Sequence, residues 1–208
     1  MTDIKVFNPL DKENLGKSVS TAILTQPVIP FTELREFVGA GVYAIYYTGN
    51  FPLYEEISKA NRIEFRQPIY AGKAVPQGTR KGNLILDSLS GNDLYRRLNE
   101  HCKSIEAALN LSVEDFYFRY LIVDDIWIPL GESVLIQQTK PLWNNVVDGF
   151  GNHDSGKGRT NQQRSPWGML HPGRIWAEKL APGKPVEEIQ SAIAELFSLS
   201  SASITNNQ

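Results

Sequence analysis

Two stretches, Gly41-Val42-Tyr43-Ala44-Ile45-Tyr46-Tyr47 and Pro68-Ile69-Tyr70-Ala71-Gly72-Lys73, constrain this chain more than any others. In both, β-branched and aromatic residues alternate with small ones and glycine stands at an end, the pattern of strands. Period-2 alternation puts Tyr43, Ile45 and Tyr47 on one face and Val42, Ala44 and Tyr46 on the other. Two tyrosines and a lysine therefore arrive at adjacent strand ends. About twenty residues separate the strands, far more than a hairpin turn needs. Within them Tyr54 to Lys59 reads as a short helix, and the 48–66 insertion is either surface decoration or a binding loop.

The rest of the chain supplies mostly helices. Leu15, Val19, Ala22 and Ile23 stand at helical spacing over 11–25. Thr32 is placed to cap a short helix through Arg35-Glu36-Phe37 that stops at Gly39. Nothing in this region carries chemistry, and it reads as an arm or lid. A loop bearing Arg80 and Lys81 leads to Asn92 or Asp93, which caps a helix running to about Asn110 with Leu94, Leu98, Cys102, Ile105 and Leu109 as its apolar stripe. Arg97 and His101 lie within roughly 40° of one another at the edge of that stripe, while Arg96 points away.

Residues 115–123, densely aromatic, predict a third and central strand. A helix over 131–138 follows, with Glu132 in its first turn and Pro141 preventing its extension. The tract from Asp148 to Gly158 reads as loop, and Pro185 to Phe197 as a closing amphipathic helix that buries Val186, Ile189, Ile193, Leu196 and Phe197. The fold expected is α/β (α+β): a small, mainly antiparallel three-stranded sheet flanked by helices. Residues 1–38 form an N-terminal arm, 39–148 the core, and 149–208 a C-terminal loop and helix.

The net charge of −2 gives no global basic footprint for nucleic acid. Local distribution is more telling: Lys157, Arg159, Arg164 and Arg174 occur from Ser155 to Arg174 without an acidic residue, while Glu114, Asp115, Asp124, Asp125 and Glu132 crowd another stretch. One surface would grip phosphates and another hold a cation. Asn161, Gln162, Gln163 and Arg164 carry side chains suited to bidentate contacts with bases. The lone cysteine, Cys102, excludes an internal disulfide and argues for a reducing compartment. No apolar run approaches a membrane span and Met1 to Lys5 opens no signal peptide, so the expected location is cytoplasmic.

Gly41-Val42-Tyr43 and Tyr70-Ala71-Gly72 resemble the paired signature of the GIY-YIG nucleases. Arg97-Leu98-Asn99-Glu100-His101 resembles the helix that follows in that family, Glu132 to Ile136 the helix with its metal-binding glutamate, and Lys140-Pro141-Leu142-Trp143-Asn144 the ending in which proline precedes asparagine. The resemblance covers roughly residues 40–145. Val42 and Ala71 replace the namesake isoleucines, and the insertion suggests the restriction-endonuclease branch. It implies a type II enzyme acting on double-stranded DNA at a GC-rich palindrome such as CCGCGG, with magnesium (Mg2+) as cofactor, leaving 5′-phosphate ends. It further implies a homodimer on DNA and a cognate DNA methyltransferase as genetic partner.

Phosphodiester hydrolysis needs an activated water, a cation for developing charge, and donors on the non-bridging oxygens. Tyr43 is the candidate general base, with Tyr70 orienting water or phosphate. Making a tyrosine basic at neutral pH takes on the order of 3 kcal/mol, which a lysine about 4 Å away at an effective dielectric near 20 would supply; Lys73 is placed for that. Glu132 would hold one hard cation, Arg97 would fork onto the phosphate, and His101 would donate to the phosphate or protonate the leaving oxygen. Asn144 fixes backbone near Glu132 or contacts phosphate. Base reading falls to the 155–174 tract and the 48–66 insertion, with Arg159 and Arg164 suited to guanine. Competing readings are a metal site at Asp124-Asp125, a His-Asn-His nuclease built on His153, Asn161 and His171, a repair or homing nuclease, and a non-catalytic DNA-binding module.

Overall fold

The computed structural model describes residues 11–76, 91–153 and 162–205. Arg80, Lys81, Lys157, Arg159 and Asn161, all expected at DNA, lie outside them. The strands are β1 (Ile29–Pro30), β2 (Gly41–Tyr47), β3 (Tyr70–Ala74) and β4 (Phe116–Ile122), and the sheet runs β1-β4-β2-β3 with antiparallel pairing throughout. Three strands were expected; the fourth is the two-residue β1, too short to show periodicity. The expected central strand β4 is interior, and so is β2, whereas β3 is an edge.

The alternation in β2 sorts its side chains between two apolar layers. Tyr43, Ile45 and Tyr47 pack with Leu94, Leu98 and Ile105 of α3 (Asp93–Ala107) and with the C-terminal residues Trp167, Leu170, Ile189 and Ile193. Val42, Ala44 and Tyr46 pack with Ile23 of α1 (Lys12–Leu24) and with Ile128 and Leu135 of α4 (Ile128–Thr139). The N-terminal segment read as an arm thus supplies part of one layer, through Val19, Ile23 and Leu24. Close packing of α1 on α4 depends on two glycines: a Cβ on Gly131 would come within 2.6 Å of Val19, and one on Gly16 within 3.1 Å of Val134 Cβ.

Several element boundaries differ from expectation. Residues 31–33 form one 3₁₀ turn and the helix expected through Phe37 is absent; instead Phe37 stacks on Tyr120 at 4.3 Å. Packing of that ring outweighs local helix propensity. Helix α3 stops at Ala107, leaving Leu109 82% exposed instead of in the stripe. Asn92 precedes it without a capping bond, its amide donating to Glu36 Oε1 at 2.7 Å. Helix α4 begins three residues early because a turn at Asp125–Trp127 feeds Pro129 into its first turn, which moves Glu132 to the second.

The insertion folds as α2 (Glu55–Ile63) and is tied to the end of β2: Asn61 Nδ2 donates to the Tyr47 carbonyl at 3.1 Å, and Arg62 Nε to that of Thr48 at 2.7 Å. The C-terminal region forms α5 (Leu142–Asn145), α6 (Pro166–Leu170), α7 (Ile175–Glu178) and α8 (Val186–Thr205). Ile189 and Ile193 of α8 are buried, and Val186, Leu196 and Phe197 pack partly against the same core. Among the described residues, no helix is long and apolar enough to cross a membrane.

His171 lies inside this layer. Its Nδ1 meets Asn110 Oδ1 at 2.8 Å and its Nε2 meets Tyr54 Oη at 2.6 Å, while Trp143 Nε1 donates to that Oη at 3.0 Å. An amide oxygen only accepts, so Nδ1 carries the proton and Nε2 accepts from Tyr54. Burial, then Arg174, push the pKa of His171 down to about 3. The unfolded chain takes up a proton below about 6.5 while the folded one does not until about 3, so stability is complete above 6.5 and is lost as pH falls between them. Urea unfolding at pH 5 should show about 2 kcal/mol less stability than at pH 7.5 from this group alone; an unchanged midpoint would contradict the buried neutral imidazole.

Candidate active site

Register brings the signature residues together. Tyr43 pairs with Gly72 and Val42 with Lys73, so Tyr43 and Tyr70 share one face of the sheet while Lys73 points to the face covered by α4. Because β3 is the edge, groups from both faces reach a common space around its end. That space is a cleft of about 700 Å³ whose lining includes Tyr43, Tyr70, Lys73, Arg97, Glu132 and His153.

Lys73 Nζ lies 2.6 Å from Glu132 Oε2, both side chains partly exposed. Across the cleft, Tyr43 forms the floor. Its Oη is 2.7 Å from Nε2 of His101, whose ring stacks on Phe150 at 4.5 Å and 17°. Burial holds His101 well below the usual imidazole range, with Arg97, Arg174 and His153 adding to the effect. It is therefore neutral and able to accept the Tyr43 proton. Burial raises Tyr43 well above 10, helped by Tyr70 and opposed by Arg97. Tyr70 is raised as well, again by burial first and against Arg97.

These facts correct two expectations. His101 is 1% exposed and stands behind Tyr43, outside the lining of the cleft. Lys73 does not lower either tyrosine, because its charge is engaged by Glu132 on the other face; Arg97 is the cation that acts on them. Arg97 itself reaches the cleft, donating from Nη2 to the Gly151 carbonyl at 3.1 Å and from Nη1 to Glu100 Oε2 at 3.2 Å and to His153 Nε2.

Asn144 fixes backbone, that of β3, whose Lys73 meets Glu132. Its Oδ1 accepts from the Ala71 amide and its Nδ2 donates to the Ala71 carbonyl, both at 2.8 Å. Together with the Trp143 amide on the Ile69 carbonyl at 2.9 Å, this closes the free edge of β3 where an unpaired strand would otherwise face water.

Gly72 is required by geometry. A Cβ there would lie 2.7 Å from Tyr43 Cζ and 3.2 Å from Cε2, so the ring crosses the strand only where there is no side chain. Gly72→Ala should displace the buried Tyr43 ring and cost about 1–3 kcal/mol of stability, read as a lowered thermal midpoint; an unchanged midpoint would show that the ring position is not tightly held.

The remaining predicted residues disperse. Arg164 is ion-paired to Glu178 at 2.9 Å and donates from Nε to the Ala177 carbonyl at 3.2 Å, so without DNA its fork serves α7. Gln163 bridges Ala181 through its backbone with its side chain exposed, and Gln162 is half-buried. Arg174, counted in the basic tract, is buried: it lies 3.8 Å over the Trp167 ring and donates to the carbonyls of Gly149, Phe150 and Asn152. No α2 residue lines the cleft. Asp124 and Asp125 gather no third ligand, for among the described residues no group of three His, Cys, Asp or Glu could hold a metal. The His-Asn-His reading fails as well, since His171 belongs to the core and His153 to the cleft.

Sequence reasoning missed the 149–153 turn, where the loop composition was visible but its destination was not. A Cβ on Gly151 would lie 2.7 Å from Tyr70 Oη; this second glycine lets backbone reach the site.

The model of the Eco29kI GIY-YIG domain matches residues 35–197, well over half of the chain. The chain belongs to this family. It is accordingly a GIY-YIG nuclease domain of a restriction-endonuclease family, and the match extends from before β2 into α8, taking in the 149–153 turn and Arg174. No curated protein matched the chain. GIY-YIG nucleases generally use divalent metal ions. The donors fit such an ion: Glu132 presents a hard carboxylate to an open polar cleft, and a small divalent cation that keeps most of its waters needs no more protein ligands than one or two.

Proposed function

We propose that this GIY-YIG domain is a type II restriction endonuclease that hydrolyses phosphodiester bonds in double-stranded DNA. The observation that carries the reading is the convergence of Tyr43, Tyr70, Lys73, Arg97 and Glu132 on one cleft at the end of β3. It has room for a phosphate and its hydration, and it sets a carboxylate opposite a phenol and a guanidinium.

Glu132 would hold magnesium, which when bound supplies charge to the phosphate and acidifies water. Arg97, still held by Gly151, Glu100 and His153, would turn its remaining N–H groups onto the non-bridging oxygens. Tyr43 is the general base: as it takes a proton from water, its own proton passes along the 2.7 Å hydrogen bond to the neutral His101. Tyr70 orients the water, and Lys73, beside Glu132 in the cleft, would add positive charge for the phosphate. The P–O bond to the 3′-oxygen breaks, that oxygen takes a proton from water in the open cleft, and the products carry 5′-phosphates.

A palindromic site would be cut on both strands by a two-fold dimer, for which GC-rich sequence such as CCGCGG is the expectation. Lys157, Arg159 and Asn161 remain candidates for base reading, as do Gln162 and Gln163, with Arg80 and Lys81 at the backbone. A methyltransferase gene partner and a cytoplasmic location complete the reading. Plasmid incubated with the protein and magnesium, followed by sequencing of the ends, tests it. Discrete fragments with a common short sequence support it; preferential cutting of branched DNA, or magnesium-independent binding without nicking, would replace it with a repair nuclease or a binding module.

A further inference from the structure

Arg97 is held at rest by a turn far from it in sequence. Arg174 lies beneath that turn, stacked on Trp167, with its three carbonyl bonds to Gly149, Phe150 and Asn152. The turn in turn presents the Gly151 carbonyl to Arg97 Nη2 and His153 Nε2 to Arg97 Nη1. The backbone approach is close, since a Cβ on Gly151 would lie 3.1 Å from Arg97 Nη2.

A guanidinium only donates. His153 Nε2 must therefore be the unprotonated nitrogen, with the proton on Nδ1. Glu100 Oε2, 3.2 Å from Arg97 Nη1, stands 3.5 Å from the same Nε2. Three acceptors thus fix the plane of the fork, on both of its terminal nitrogens.

We propose that His153 is a positioning residue for Arg97, orienting the guanidinium as a neutral acceptor and releasing it when the imidazole instead takes a proton and turns to Glu100. This rests on the nuclease reading above, deepening it by a residue outside the signature motifs. The charged groups around the imidazole decide the direction. Arg97 on α3 and Arg174 beneath the turn disfavour its protonation, and Glu100 on α3 favours it. The Asp93–Arg96 pair at 2.8 Å and the Lys73–Glu132 pair across the cleft each contribute opposite charges together, and the raised Tyr70 is neutral. With desolvation acting the same way as the two arginines, the imidazole stays neutral at pH 7 and above. Its side chain is 55% exposed, so replacements there leave the core intact.

The experiment uses the full chain. Long-range 1H–15N spectra of the free protein should show His153 as the Nδ1–H tautomer, and Arg97→Met should raise its titration midpoint. An Nε2–H tautomer, or an unmoved midpoint, overturns the proposal whether or not the protein cuts DNA. In magnesium-dependent plasmid cleavage, His153→Ala should lower kcat about tenfold with the Kd for DNA unchanged, and His153→Gln, which keeps an acceptor, should restore most of it. The wild-type rate should fall as pH drops through the His153 titration, and His153→Gln should lack that limb. A His153→Ala enzyme with wild-type kcat and the same acid limb would overturn the assignment; an inactive wild type with the expected tautomer would count against the nuclease reading alone.

Discussion

Glu132→Gln is expected to reduce cleavage by about 10³-fold or more while leaving DNA binding in magnesium-free buffer within a few-fold of wild type. The amide keeps the size of the side chain and its place in the second turn of α4, so the packing of α4 on α1 is untouched. What disappears is the negative charge, and with it the 2.6 Å ion pair to Lys73 and the only carboxylate assigned to the cation. That ion pair is partly exposed, so its loss alone should cost little stability, about 0–1 kcal/mol. Cleavage, filter binding and thermal unfolding together check this. A variant that cuts normally, or one that loses binding and cutting in parallel, would remove Glu132 from the metal role.

Tyr43→Phe should be comparably inactive, for a different reason. It deletes the hydroxyl that faces both the cleft and His101, leaving a buried imidazole nitrogen without its 2.7 Å partner. Such a loss costs on the order of 1–3 kcal/mol of stability, so inactivity must be judged on protein shown to be folded. The pH dependence separates chemistry from structure. Burial holds the Tyr43 proton to a higher pH than usual, so if loss of that proton limits the rate, wild-type cleavage climbs through the alkaline range. Any residual rate in Tyr43→Phe should be flat there; a residual rate climbing as steeply as wild type would assign the base elsewhere, with Tyr70 the next to test.

Much of the site was legible because strand alternation is a strict rule. The division of β2 into Tyr43, Ile45, Tyr47 and Val42, Ala44, Tyr46 is the division between the two layers, and helical spacing put Arg97 and His101 on the same side of α3. Depth was not legible: nothing in Arg97-Leu98-Asn99-Glu100-His101 indicates that the arginine reaches water and the histidine does not, since that depends on Phe150 arriving from fifty residues away. Charge patterning misled for the same reason. Arg164 and Arg174 look alike in a basic tract, but one meets a carboxylate on α7 and the other lies on Trp167. Lys73 was drawn to the wrong partner because three residues of separation from Tyr70 suggests proximity, while the pleat sends the two side chains to opposite faces.

The position of the cleft at the border strand means that its acidic half and its aromatic half are anchored in separate apolar layers on the two faces of the sheet. Substitutions at Gly16, Val19 or Gly131, none of which faces the cleft, should therefore tilt the carboxylate relative to the phenol and change turnover without touching either. An enzyme built in two plies in this way can be retuned from its back.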